Sequence, residues 1–271
     1  MKVVFLTGSL VYNSLVVGEI AKMEGVCVQA IIIGDFIYPK KSYLKGALRA
    51  LQKSGLPYFL FKSFETSILQ WLVLFKGEKS KVKLMAQVSK IYHIPLIKTK
   101  DINDDEMVAF IKGLSADLII SMIPQVIGDG ILSIPGAKVI NLHPGLLPEY
   151  RAFGAYLWPL VDDHPYFGYT IHFINDVIDG GDIIKRQEFK IPPSATVQML
   201  YYLAMKYGAE GLKEIVRDCM NGKTLTGTKQ LGLDTYPHRP WPDTRAVRLL
   251  WKKGYRLFRW RDLYHLYKND F

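Results

Sequence analysis

Val26-Cys27-Val28-Gln29-Ala30-Ile31-Ile32-Ile33-Gly34 is an apolar, largely β-branched run interrupted only by Gln29. A strand with one wet face alternates apolar and polar residues, whereas a continuous run of this kind fits a strand buried on both faces, the situation in a parallel sheet covered by helices. Similar short runs stand at residues 2–7, 95–98, 117–122 and 138–142, and helix-prone stretches at 12–22 and 104–113 lie between them. That alternation predicts βαβ units and an α/β fold built on a mostly parallel sheet. Residues 168–174 and 182–189 then read as a closing hairpin whose connection is 175–181, and a helix over about 195–220 completes the core.

With 271 residues, 49% of them hydrophobic, the chain supports one large α/β domain and a modest appendage. We expect residues 1–220 to form that domain and 221–271 a short C-terminal accessory segment. Lys and Arg number 35 against 25 acidic residues, a formal charge of +10 that favours an anionic partner such as a phosphate, a nucleic acid, a folate tail or a membrane surface. The two cysteines, Cys27 and Cys219, belong to no paired motif and read as reduced core thiols of a cytoplasmic protein. The first apolar stretch is too short for a signal peptide and reads as a strand.

Residues 36–92 interrupt the α/β rhythm as a basic, helix-prone insertion whose middle, 59–75, is densely apolar. Lys62, Glu65, Thr66, Ser67 and Gln70 punctuate it, leaving too few uninterrupted apolar residues to span a bilayer. Two readings remain open for it: packing against the core or a second subunit, and an interfacial membrane helix. From 236 to 271 the chain interleaves Arg239, Arg245, Arg248, Lys252, Lys253, Arg256, Arg259, Arg261 and Lys268 with Trp241, Trp251, Tyr255, Phe258, Trp260, Tyr264 and Tyr267. Such a pattern tracks a phosphate backbone and stacks on bases, or it packs its aromatics inward under the stems of solvated basic side chains.

The chemistry concentrates in Asn141-Leu142-His143-Pro144 and in Asp179-Gly180-Gly181. Alternate strand residues share a face, so Asn141 and His143 project together while Leu142 faces the core, and Pro144 ends the strand. An amide, an imidazole and a carboxylate then meet at the carboxyl edge of the sheet, where open α/β folds bind ligands. Attack of an amine on an acyl carbon places negative charge on oxygen and positive charge on nitrogen, and it needs a proton at the leaving group. Asn141 and His143 can donate to the oxygen, while Asp179 favours a protonated His143 and helps take the amine's proton. His172, on the strand entering the Asp179 loop, reads either as orienting that carboxylate or as a satisfied core histidine. His93, His164, His238 and His265 have no metal-site spacing, and no Gly-x-Ser-x-Gly elbow marks a serine nucleophile.

The pattern Asn-x-His-Pro-x-Leu-Leu-Pro-x-Tyr-Arg at 141–151, with Gly-x-Thr-x-His-Phe at 168–173, Asp-x-Gly at 179–181 and Ile-Ile at 183–184, resembles the formyltransferase family that uses 10-formyltetrahydrofolate. The resemblance covers roughly residues 1–215 and is specific over 117–190. It implies a Rossmann-like sheet and the catalytic trio Asn141, His143 and Asp179. It also implies a pterin pocket formed by Gln125, Val126 and Ile127 with the loop residues Asn175, Val177 and Ile178. Two residues depart from the pattern: Gly145 stands where Ser is usual, and Ala152 where Gly is usual.

Within that family the acceptor differs. Tyr150, Arg151 and Phe153, with Tyr156 and Trp158 nearby, are expected to line the acceptor side, Arg151 being available for a phosphate. A nucleotide-linked amino sugar is the acceptor we expect. The methionyl-tRNA enzymes that the chain also resembles carry a C-terminal barrel, for which only about 50 residues remain after the core, although the basic tail keeps tRNA in view. The first loop, 7–14, lacks the second glycine of a phosphate cradle, which weighs against glycinamide ribonucleotide. A formyltetrahydrofolate hydrolase and a homo-oligomer remain further alternatives.

Overall fold

A computed structural model describes residues 1–34, 43–77, 80 and 82–265. The remainder of the expected insertion, and Tyr267 and Lys268 of the basic tail, lie outside the described residues. Seven strands form one sheet: β1 (Lys2–Thr7), β2 (Cys27–Gly34), β3 (Leu96–Thr99), β4 (Leu118–Met122), β5 (Lys138–His143), β6 (Tyr166–Phe173) and β7 (Ile183–Lys190). Their order is β3-β2-β1-β4-β5-β6-β7. The first five run parallel, and β6 and β7 are antiparallel additions at one edge. The chain builds outward from β1 in one direction and then crosses to β4, so the sheet is doubly wound with its switch point between β1 and β4.

Both faces are covered, as the apolar runs require. Val3 and Phe5 face a core shared with α1 (Val11–Ala21) and α8 (Val197–Met220), while Val4, Leu6, Ala30 and Ile32 face a second core with α5 (Asp105–Gly113) and α6 (Asp129–Leu132). α8 begins at Thr196, whose hydroxyl accepts from the Met199 N–H, a hydroxyl cap of the usual kind.

The described part of the insertion is helical. α2 (Tyr43–Ser63), interrupted at Gly55, leads into a π-helical turn (Phe64–Ile68), α3 (Leu69–Lys76) and then α4 (Met85–Ile91). Its inner face, Tyr58, Phe61, Phe64, Leu69 and Val73, is buried in the larger core, and Lys62 reaches inward to Glu65 at 2.5 Å and to the Tyr156 hydroxyl at 3.0 Å. Its outer face remains exposed, so the packing reading accounts for one side of this segment only.

After α8 the chain lies back across the core, with short bridges joining Thr228 to Ile183, Arg239 to Ala152 and Arg256 to Thr196. α7 (Trp158–Val161), α9 (Thr244–Lys252) and α10 (Trp260–His265) complete the helices of this side. Phe258 stacks on Phe64 at 4.6 Å and Trp241 meets Tyr58 edge-on at 5.9 Å, joining the tail to the insertion. The tail aromatics therefore divide: Phe258 and Trp241 pack inward, whereas Trp251, Trp260 and Tyr264 are exposed.

Candidate active site

Asn141 and His143 lie on the same side of the last turn of β5, with Leu142 buried between them toward α8. Strand β6 sets Asn141 opposite His172 and His143 opposite Thr170. The Thr170 hydroxyl donates to the Gly145 carbonyl at 2.8 Å and accepts from the Leu147 N–H at 3.1 Å, which fixes the turn that follows His143.

Asp179 arrives on the connection between β6 and β7. An Asx turn from Asn175 to the Val177 N–H opens that loop, and Gly180 closes a turn onto the Val177 carbonyl. Asp179 itself has φ 51, a left-handed conformation that Asp tolerates better than most residues. At Gly181 any side chain is excluded, because a Cβ would sit 1.9 Å from the Phe173 carbonyl oxygen.

The side chains converge. Asp179 places Oδ2 3.6 Å from His143 Nδ1 and Oδ1 3.6 Å from His172 Nε2, and Oδ2 also accepts from the Ala152 N–H at 2.7 Å. Asn141 donates to His172 Nε2 at 3.1 Å. Carbonyl oxygens only accept, so His143 donates from Nε2 to Tyr150 O (2.7 Å) and His172 donates from Nδ1 to Phe173 O (2.7 Å). The nitrogen that His143 turns toward Asp179 is therefore Nδ1, and 3.6 Å is too long for a direct hydrogen bond.

Electrostatics sort the charges. Burial pushes the His143 imidazole below its ordinary range and outweighs the pull of Asp179, which acts in the opposite direction. Burial also works to raise the Asp179 carboxyl, but His143, His172 and the Ala152 N–H together hold it well below the usual carboxylate range. At neutral pH the arrangement is an ionised carboxylate facing a neutral His143 whose Nδ1 lone pair is free to take a proton. Asp179 does favour the protonated ring, as expected, but burial of the ring is the larger effect.

The residues assigned to the acceptor side behave differently from their reading. Arg151 is 4% exposed, and its guanidinium donates to the carbonyls of Ile178 (2.6 and 3.1 Å), Leu233 (3.4 Å) and Tyr236 (3.5 Å). It clamps the Asp179 loop and is not available for a phosphate. The Tyr150 ring is buried with the Arg239 guanidinium over it, so it serves the site through its backbone carbonyl. Tyr156 is buried in a stack with Tyr201, and the buried Trp158 donates to Phe153 O. Phe153 alone of these is exposed, edge-on to Trp241.

Of the residues assigned to a pterin pocket, Val126, Val177 and Ile178 are exposed apolar side chains at the carboxyl edge, surface that a flat heterocycle could cover. Ile127 is buried in the second core. The Gln125 side chain tethers the 100–102 loop, accepting from the Ile102 N–H and donating to Lys100 O. Gln230 went unseen in the sequence: buried, it donates to the carbonyls of Asp179 (2.9 Å) and Gly181 (2.7 Å), and no spacing marks it because it lies 51 residues from Asp179.

The two departures from the family pattern have structural counterparts. Ala152 adopts φ 68, a conformation that suits the more usual Gly. A Cβ at Gly145 would meet the Ala155 Cβ at 2.4 Å and His143 Nε2 at 3.0 Å, so a serine does not fit here as the neighbours stand.

A family model described as formyl transferase matches residues 3–216. The methionyl-tRNA formyltransferase of Clostridium tetani is 32% identical over 143 residues, which cover 52% of this chain and 46% of that protein. That of Syntrophus aciditrophicus is 32% identical over 127 residues, 46% of this chain and 41% of that one. The chain thus matches a little under half the length of these relatives. Among solved structures, glycinamide ribonucleotide transformylase 1 from Symbiobacterium toebii superposes with a TM-score of 0.57 at 14% identity, covering 82% of this chain and 88% of that one. The N-formyltransferase from Helicobacter canadensis, crystallised with folinic acid and dTDP-3-aminofucose, gives 0.56 at 16% identity, covering 88% and 71%. At such identities the likeness is one of fold.

Proposed function

Because the chain belongs to the formyl transferase family, we propose that it moves a formyl group from 10-formyltetrahydrofolate to a primary amine, and that the amine is that of an amino sugar on a nucleotide or a related phosphate-bearing carrier. One observation carries the reaction type: an ionised Asp179 faces a neutral His143 across a 3.6 Å gap, with Asn141 beside them at the end of β5. The donor supplies a formyl carbon already bonded to nitrogen. The exposed Val126, together with Val177 and Ile178 immediately before Asp179 in its loop, suits the donor's pterin ring.

The residues then act as follows. Asn141, held by His172, turns an N–H toward the formyl oxygen as negative charge grows there. Asp179 stabilises the positive charge that develops on the attacking amine, and His143 Nδ1 takes the amine's proton. The resulting imidazolium lies between Asp179 and the Tyr150 carbonyl, both of which favour it, and it returns the proton to the departing nitrogen. Protons balance, and no charge is left buried without a partner.

For the acceptor, the amino sugar reading is supported by the fold neighbour crystallised with dTDP-3-aminofucose. A tRNA acceptor is the second reading, favoured by exposed Arg245, Arg248 and Lys252 on one side of α9 and by the sequence relatives. Cys27 is exposed and Cys219 partly so, which corrects the reading of both as core thiols; an exposed free thiol still suits a reducing cytoplasm.

The test is to supply 10-formyltetrahydrofolate with nucleotide-linked amino sugars, methionyl-tRNA and glycinamide ribonucleotide in turn and follow deformylation of the folate. Rapid turnover with an amino sugar alone supports the proposal. Turnover only with tRNA selects the second reading, and formate release without any amine would make the protein a hydrolase.

A further inference from the structure

The proposed chemistry leaves unused one side of the molecule, where the insertion and the C-terminal segment meet. Residues 56–75 bury Tyr58, Phe61, Phe64, Leu69 and Val73 but turn Leu56, Leu60, Ile68, Trp71, Leu74 and Phe75 to solvent. Phe75 is 85% exposed, Trp71 71% and, on the C-terminal segment, Trp260 75%. Between the two segments runs a groove of about 650 Å³ lined by Pro57, Leu60, Ile68, Trp251, Phe258 and Trp260, with Arg256 on its wall. Helices apolar on both sides are found in protein cores or in contact with lipid. This one is half of each kind.

The charge around the groove is predominantly positive, although Arg239 and Lys253 are paired with Asp162 and Asp163. Residues 239–262 contain eight Arg or Lys and two acids. Of those acids, Asp243 caps α9 and Asp262 is buried, accepting from Thr196 at 2.6 Å. Arg256 donates to the carbonyls of Trp251 and Tyr255, Arg259 to those of Ser194 and Gly254, and Arg261 to the Ser194 hydroxyl. Those contacts position the guanidinium groups without neutralising them. Among the described residues no helix is long and apolar enough to cross a membrane, so contact with lipid would be from the side.

We propose that this face docks on an anionic phospholipid bilayer. Trp71, Phe75 and Trp260 enter the boundary between headgroups and acyl chains, the groove receives hydrocarbon, and Lys252, Arg256 and Arg261 meet the phosphates. Amphipathic aromatics and basic residues are the combination that interfacial anchoring uses, since neither signal suffices alone. Self-association would press the same cations against one another, and a nucleic acid would leave the aliphatic Leu56, Leu60, Ile68 and Leu74 uncovered.

The inference is independent of the chemistry assigned to Asp179 and is tested without it. The full-length protein is sedimented with vesicles of phosphatidylcholine alone and of equimolar phosphatidylcholine and phosphatidylglycerol, beside the doubly substituted variants Trp71→Ser/Phe75→Ser and Lys252→Gln/Arg256→Gln. Circular dichroism melts confirm that each variant is folded. Binding to the anionic vesicles only, abolished in the aromatic variant and weakened about 25-fold in the charge variant at about fivefold per cation, supports the proposal. Failure to sediment with either vesicle, or equal binding to both, overturns it. So does a dimer in size-exclusion chromatography that the aromatic variant converts to monomer, because the face would then be a contact between two copies of the chain.

Discussion

Replacing Gly145 by alanine asks whether the position of the His143 ring, and not only its presence, sets the rate. The new Cβ would lie 2.4 Å from the Ala155 Cβ and 3.0 Å from His143 Nε2. Carbon atoms in contact rest about 3.5–4.0 Å apart, so either the 145 turn or the 155 segment must give by roughly 1 Å. The Thr170 hydroxyl holds the turn through Gly145 O and Leu147 N, leaving the imidazole and its 2.7 Å bond to Tyr150 O as the neighbouring parts free to yield. Overpacking of this kind costs about 1–3 kcal/mol in stability, which for a chain of this size lowers the melting temperature by roughly 2–4 °C per kcal/mol. The catalytic loss should be larger, because a displacement of about 1 Å at a reacting group costs on the order of a hundredfold. The assay is the initial rate of acceptor-dependent folate deformylation, paired with a thermal melt. Adding Ala155→Gly removes the shortest clash and should restore part of both quantities. A folded Gly145→Ala protein with unchanged turnover would refute the reasoning.

Asn141→Ala should slow transfer by about 10²–10³-fold, the usual loss on removing an oxyanion donor; an unchanged rate would mean that another group holds the oxygen. Arg151→Met should lower the melting temperature by several degrees, since hydrogen bonds from charged groups contribute roughly 1.5–3 kcal/mol each when partners are left buried. A variant that melts normally and loses only affinity for a phosphate-bearing acceptor would return Arg151 to substrate binding. Stability should fall in two stages on acidification: below about pH 6.5 the unfolded His143 binds a proton that the folded ring resists, and near pH 4 the unfolded Asp179 does the same. In both ranges the unfolded state binds more protons, so stability rises with pH, and urea unfolding across this range checks the sign. An increase in stability on acidification from pH 7 to 5 in wild type, absent from His143→Ala, would contradict it.

The sheet was legible because burial on both faces writes itself into continuous apolar runs, and the strands at 26–34 and 117–122 stand within a residue of β2 and β4. Asn141 and His143 were legible for an equally local reason, the two-residue period of a strand. Arg151 was misread because the carbonyls that capture it belong to residues 178, 233 and 236, far away in sequence. Gln230 was invisible for the same reason. The protonation of His143 also lay beyond the sequence: the choice between a charged and a neutral ring depends on how deeply strands β5 and β6 and the 150–155 segment enclose it. In the insertion, the alternation of apolar and polar residues hid two different apolar faces, one for the core and one for solvent.

The central claim is that Asp179, His143 and Asn141 act together on one carbonyl, and Asp179→Asn tests it most directly. Asparagine keeps the shape, the left-handed backbone preference and an oxygen that accepts from the Ala152 N–H, while it removes the charge and turns the other carboxylate oxygen into an NH2 donor facing His172. Turnover of 10-formyltetrahydrofolate with the acceptor should fall by orders of magnitude while the donor's dissociation constant, measured by calorimetry, stays within a few-fold of wild type. A variant that binds the donor and transfers its formyl group at a near-normal rate would contradict the account.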